Sequence, residues 1–227
     1  MRQTLADTAS LPRFDPATSG SNRFEDLVTD GLSLLEALAD QGAPIPLLVA
    51  HSMGAGVAGA VLSACPDLVC AGVLEEPPWV TGPRPVARPD TSQQSVHRFR
   101  DDLEAALAKG RVELARWPET ELRPWAQSKA ELDPSLTDRD QIALQSPWID
   151  NAAAITRPTL VVTGGRQEAV LVTAASRQRL AELGNRHIEV EVVPGAGHTV
   201  RRDRAEAYHQ IVDPWIRRQL AAAGRSG

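Results

Sequence analysis

Hydrophobic positions in this chain change period several times, and each change marks an element. From Asn22, which can cap a helix with Glu25 three residues on, Phe24, Leu27, Val28, Leu32, Leu35 and Leu38 recur with helical spacing as far as Gly42. Residues 46–50 are then an unbroken apolar run, which predicts a buried strand. Residues 53–64 predict a helix whose Gly and Ala side chains allow close approach to a sheet, closed by Pro66. A short buried strand over 69–74 runs into Glu75-Glu76-Pro77-Pro78-Trp79. Strand character resumes at Thr159-Leu160-Val161-Val162-Thr163-Gly164, followed by a helix at about 172–184. Ile188 to Val193 alternates as a strand into Pro194-Gly195-Ala196-Gly197-His198. The last helix, about 203–221, carries Tyr208, Ile211, Val212, Trp215 and Leu220 on one side, with Pro214 expected to bend it. Strands that alternate with helices imply a parallel sheet covered on both faces.

Two stretches break this rhythm. Residues 1–21 are polar and turn-rich, with Pro12, Pro16 and Gly20, and read as an irregular arm. Residues 79–155 hold four of the five tryptophans, Pro-rich joints and at least one amphipathic helix around 95–116, which suggests an inserted cap or lid. The expected organisation is a core made of 1–78 and 156–227, interrupted by a cap over 79–155. A length of 227 residues suits one such domain and can bury a sizeable core.

A formal net charge of −5, with no basic stripe, argues against nucleic acid or an anionic membrane as partner. Arginine outnumbers lysine 22 to 2, which suggests a GC-rich bacterial source. Cys65 and Cys70 read as buried structural thiols rather than a metal or redox pair. The first residues lack an apolar core of signal-peptide length, and no apolar run reaches the roughly eighteen residues needed to span a bilayer, so a cytoplasmic location is the expectation.

The chemistry is concentrated where strand 46–50 breaks into the next helix, in Ala50-His51-Ser52-Met53-Gly54-Ala55-Gly56. A sharp strand-to-helix turn is where a serine hydroxyl stands clear of a sheet while the next backbone N–H points toward a developing oxyanion. Such a turn needs small neighbours, and Gly54 and Gly56 supply them. The stretch resembles the nucleophile elbow of the α/β-hydrolase superfamily in its His-Ser-Met-Gly form, with Ala50 in place of the glycine more usual two positions before the nucleophile. The resemblance implies a mostly parallel α/β-hydrolase-like sheet flanked by helices, with Ser52 as nucleophile and the Met53 N–H as oxyanion donor.

A serine nucleophile needs a base, and the base needs an orienting acid. The resemblance places the base at His198, in the Gly-Ala-Gly-His turn after the last strand. His51 is expected to point away from the nucleophile, and His97, His187 and His209 fall in the cap, a strand entry and the final helix. The acid is less direct. Most relatives carry it in a Gly-x-x-Asp turn after the cap, but here that turn reads Gly164-Gly165-Arg166-Gln167-Glu168. The family's other location, used in haloalkane dehalogenases, is the end of the strand after the elbow helix, where Glu76 falls. Two carboxylates there would be costly if buried unpaired. Glu76 therefore ranks first, Glu75 second and Glu168 third.

Family members also place several strands, and a His-Gly loop with a second oxyanion N–H, before the elbow, and 45 residues precede Pro46 here. The expectation is an N-terminally shortened fold in which strand 46–50 lacks a neighbour, its open edge covered either by residues 1–21 folding back or by a second chain in a homodimer. Loss of one oxyanion donor costs roughly a hundred- to a thousand-fold in rate. Taken together, the residues point to a serine hydrolase for a small or medium, largely apolar carboxylic ester or related acyl compound, with Trp79 and Trp148 on the pocket wall and no cofactor. The rival is a non-catalytic, truncated relative that binds or docks without turnover. Carbon–carbon bond hydrolysis or cofactor-free peroxidase chemistry on the same residues is a third possibility.

Overall fold

The apolar runs form one parallel sheet in the computed structural model, which describes residues 24–79, 81, 97, 99–131 and 148–224. Strands β1 (Leu47–His51), β2 (Ala71–Glu75), β3 (Thr159–Gly164) and β4 (Ile188–Val193) lie side by side in chain order. Leu47 pairs with Ala71, Gly72 with Thr159, and Thr159 with Ile188, so the four carboxyl ends finish together. Parallel neighbours cannot be joined by a tight hairpin, and each connection here carries helices. These are α1 (Phe24–Asp40), ahead of the sheet; α2 (Met53–Ala64); α3 (Leu103–Glu113) and α4 (Glu119–Ala130), between β2 and β3; α5 (Ala174–Leu183); and α6 (Val200–Asp203) with α7 (Ala205–Ala223), at the end.

Burial follows position in the sheet. Every residue of the central strands β2 and β3 is buried, whereas β1 and β4 alternate or open to solvent as edges do. One face of the sheet packs Leu74 and Val161 against α2, Leu35 of α1, Leu180 of α5 and Trp79. The other packs Val73, Leu160 and Val162 against Tyr208, Val212 and Trp215 of α7. The small residues of α2 matter for closeness: a Cβ on Gly59 would lie 2.9 Å from the Trp79 ring.

Element boundaries match the sequence expectation closely for α2, β3 and β4. The strand expected at 69–74 starts two residues later, at Ala71, and α7 runs through Pro214 to Ala223. Of the segment expected as a cap, the described residues include α3, α4 and a 3-10 turn at Trp148–Ala154. The α3 and α4 helices share a small core of their own built from Phe99, Ala106, Leu107, Leu122 and Ala126. The arm at 1–21 lies outside the described residues. Cys65 and Cys70 are free and half-buried rather than fully buried. No described helix is long and apolar enough to cross a membrane.

Among the described residues β1 pairs only with β2, and Val49 on it is 57% exposed. A parallel edge with exposed apolar side chains is a template for another strand. We propose that it mediates self-association. Light scattering on a size-exclusion column should detect a dimer that Val49→Lys shifts to monomer with little change in thermal stability, and a monomer in both proteins would reject the edge contact.

Candidate active site

Ser52 follows the last residue of β1 and precedes the first residue of α2. Its backbone is held at φ 55, ψ −123, a conformation that a residue with a side chain adopts only when its surroundings impose it. Two bonds impose it here: the Ser52 N–H donates to Glu75 O at 2.9 Å, extending the sheet, and Ser52 O accepts from Gly56 N–H at 3.1 Å, starting the helix. Gly56 has to be small, since a Cβ there would lie 2.9 Å from Pro78 and 3.3 Å from Phe24. Gly54, by contrast, faces open space among the described residues. As the first residue of α2, Met53 follows Ser52 directly and has a backbone N–H with no partner inside the helix.

His198 arrives from the other end of the sheet on the turn after β4, and its Nε2 lies 2.9 Å from Ser52 Oγ. That turn folds tightly over the end of β3. A Cβ on Gly164 would stand 2.4 Å from Ala196 O and 2.6 Å from Gly197 O, so glycine is the residue that permits the approach.

Glu76 lies one residue beyond β2, also in the left-handed region at φ 50, and its side chain is fully buried. Its Oε1 accepts the Thr163 hydroxyl and, at 3.0 Å, the Gly164 N–H. Its Oε2 accepts the N–H groups of Leu171 and Val172 and lies 3.8 Å from His198 Nδ1, which has no hydrogen-bond partner among the described residues. Burial works to raise the Glu76 carboxyl, but the His198, Thr163, Leu171 and Gly164 contacts outweigh it and hold it below the usual range. Glu75 is buried too but turns elsewhere, accepting the Arg201 N–H at 2.9 Å. Burial dominates there and pushes its carboxyl up. Glu168 is an exposed side chain paired with Arg166 at 3.1 Å.

The structure thus brings Ser52, His198 and Glu76 together and leaves Glu168 outside. His51 differs from the sequence expectation. It does not point away from the site: its Nε2 lies 2.9 Å from His198 O, and its ring centre 4.7 Å from that of His198. Beside it opens a cleft of about 150 Å³ lined by His51, Glu75, Thr199, Arg201 and Arg202. Trp79 requires a correction. At 1% exposure it belongs to the core over Gly59, where α2 is bare enough to let the indole in, and it is not among the described residues that line the cleft. Trp148 heads the turn at Trp148–Ala154, and its expected role lies outside the described side chains. Sequence reasoning missed Thr163, for which the signal was a hydroxyl directly after the apolar run Leu160-Val161-Val162, one residue before the strand ends at Gly164. Among the described residues no group of three or more His, Cys, Asp or Glu could hold a metal ion.

The family model described as "Alpha/beta hydrolase family" matches residues 8–211. A search of the curated proteins finds no match. Solved structures of similar fold include E-2-(acetamidomethylene)succinate hydrolase, 22% identical, with 86% of this chain and 74% of that one covered and a TM-score of 0.65. N-formylmaleamic acid deformylase from Pseudomonas putida S16 is 18% identical over 84% and 73% of the two chains, with a TM-score of 0.65. A peroxisomal alpha-beta-hydrolase from Saccharomyces cerevisiae is 17% identical over 89% and 63%, with a TM-score of 0.67. At these identities the likeness is one of fold.

The two neighbouring carboxyls should respond oppositely to pH. A depressed folded value for Glu76 adds stability above its ordinary 4.5 that is lost as pH falls through the folded value, whereas a raised one for Glu75 favours folding most below 4.5 and less as pH climbs through its folded value. At neutral pH, Glu76→Gln should therefore lower the melting temperature and Glu75→Gln leave it level or raise it. Thermal unfolding across pH 3 to 8 reads both, and equal losses would contradict the assignment. Gly164→Ala should cost roughly 1–3 kcal/mol through the forced shift of the His198 turn, measured by denaturant unfolding.

Proposed function

The chain belongs to the alpha/beta hydrolase family, and from that premise we propose that it works as a serine hydrolase on a small or medium carboxylic ester or related acyl compound. The observation that carries this reading is the 2.9 Å contact between His198 Nε2 and Ser52 Oγ, made by a serine held in a strained turn. An acylation step needs a base within hydrogen-bond reach of the hydroxyl, and this pair has that geometry.

In the proposed reaction His198 Nε2 takes the Ser52 proton as Oγ bonds to the substrate carbonyl carbon. The carbonyl oxygen becomes an oxyanion, and the Met53 N–H donates to it. For Nε2 to accept, Nδ1 must carry the ring proton, and Nδ1 faces Glu76 Oε2 at 3.8 Å. A shift of under an ångström turns that into a hydrogen bond, which is how catalytic contacts often tighten once substrate is bound. The imidazolium then returns its proton to the departing oxygen, leaving an acyl-serine that water hydrolyses by the same steps.

The cleft beside His51 is polar but is lined by neither Ser52 nor His198, so it does not define the acyl group that would reach Ser52. A binding protein without turnover is the second reading, favoured by the 3.8 Å between His198 and Glu76, which exceeds a hydrogen bond.

A fluorophosphonate probe separates the two, because it reports an activated serine whatever the substrate. The wild-type chain should label at Ser52, and Ser52→Ala should not. His198→Ala should lose roughly 10⁴-fold or more in labelling rate, with the double variant hardly worse than either single one. Glu76→Gln should lose up to about 10⁴-fold, and more than Glu75→Gln or Glu168→Gln. An unlabelled wild type would favour the binding reading.

A further inference from the structure

Three consecutive residues shortly after His198 reach across to the helix pair inserted between β2 and β3. Arg201 donates from Nη1 and Nη2 to the two carboxylate oxygens of Glu121, at 2.8 and 3.2 Å. Arg202 donates from Nε to Glu121 Oε2 at 2.9 Å and holds its guanidinium 4.7 Å from the centre of the Trp117 ring. Asp203 Oδ1 accepts the Trp117 Nε1–H at 3.0 Å. Glu121 sits in the first turn of α4, and Trp117 in the joint between α3 and α4.

The carboxylate of Asp203 has a second partner that bears on the site. Its Oδ2 accepts the N–H of Gly197, the residue immediately before His198, at 2.7 Å. Its Oδ1 also lies 3.4 Å from the hydroxyl of Thr199, the residue immediately after. One half-buried carboxylate thus spans the backbone that carries His198 and the indole that belongs to the inserted helices. The turn it holds contains Gly195 and Gly197, which bring no side chain to pin it and have many conformations to lose. Hydrogen bonds to a charged acceptor are about twice as strong as neutral ones, so Asp203 is the strongest tether this backbone has among the contacts described.

From this juxtaposition we propose that Asp203 is a positioning residue, which couples the inserted helix pair, through Trp117, to the placement of His198 against Ser52. The proposal rests on the reading of His198 as the general base. A change in the helix pair, such as contact with a substrate, passes through the Trp117–Asp203–Gly197 chain to the imidazole and alters the rate of serine activation without altering the fold.

Asp203→Asn keeps the shape but sets an NH₂ group against one of two N–H donors, and Trp117→Phe keeps an aromatic ring while removing the donor. Two readouts test the pair. In fluorophosphonate labelling, both variants should react roughly ten- to a hundred-fold more slowly while reaching the full wild-type end-point, because a misplaced base slows every molecule whereas partial unfolding removes some of them. Combined, the two should lose little more than Asp203→Asn alone, and Arg111→Gln, which breaks an exposed pair on the same helices, should react at the wild-type rate. In hydrogen exchange, the Gly197 amide should open about tenfold faster in Trp117→Phe, although the substituted side chain does not touch it. Wild-type labelling rates in both variants, a reduced end-point in place of a reduced rate, or unchanged Gly197 exchange in Trp117→Phe would each overturn the coupling. If the wild type fails to label, the hydrolase reading falls, and Gly197 exchange still decides whether the helix pair holds the turn.

Discussion

A fully buried carboxylate has to be satisfied, and the requirement of Glu76 organises the carboxyl end of this sheet. It accepts from the Thr163 hydroxyl and from the N–H groups of Gly164, Leu171 and Val172, which come from the end of β3 and the segment that leads into α5. Without it the buried N–H groups of Gly164 and Val172 would lose the acceptor described for them, whereas the Thr163 hydroxyl also lies 3.2 Å from Val172 O. The same carboxylate turns one oxygen toward His198 Nδ1. An anion at this place therefore ties together the ends of two strands and a loop, and also offers the imidazole its only charged neighbour on that side among the contacts described.

Strain at the site has a common origin in this arrangement. The two non-glycine residues with positive φ among those described are Ser52 and Glu76, and both sit just past the end of a neighbouring parallel strand. Their N–H groups continue the sheet, Ser52 to Glu75 O and Glu76 to Val162 O, while their side chains turn to opposite partners of one imidazole. The strained backbone persists because sheet hydrogen bonds on one side and helix or loop contacts on the other over-determine it. Glycine appears where backbone must come close instead: Gly56 against Pro78, and Gly164 against the turn of His198.

The inserted helices are joined to the core by a different kind of force. Helices α3 and α4 keep their own small apolar cluster, so their internal packing does not depend on the sheet. Their contact with the segment after His198 is polar and partly buried, built on Glu121, Trp117 and Asp203. Polar tethers are directional and can shift without exposing a core, in contrast to the packing of Leu74 or Val161, where any movement opens a cavity.

Apolar periodicity, read with its flanking turn residues, placed the four strands and most of the helices in order, since a short apolar run such as Leu160-Val161-Val162 between Pro158 and Gly164 fits a buried strand and the small residues of 53–64 fit a helix that touches a sheet, whereas α4 was not placed. Ser52 and His198 were also legible, because each is announced by local turn chemistry, a strand-to-helix break and a Gly-Ala-Gly-His turn. Glu76 could be ranked but not chosen over Glu75. Adjacent residues at a strand end point to opposite sides, and which side holds the imidazole is fixed by the register of β2 against β3 and by donors from residues 163 to 172, far away in sequence. The contact of His51 with His198, the burial of Trp79 and the bridge from Trp117 to Gly197 were decided at the same level. Apart from the bond between Gly197 and Asp203, six residues apart, these are contacts between segments twenty or more residues apart, which no local pattern encodes and only the packed chain brings within reach.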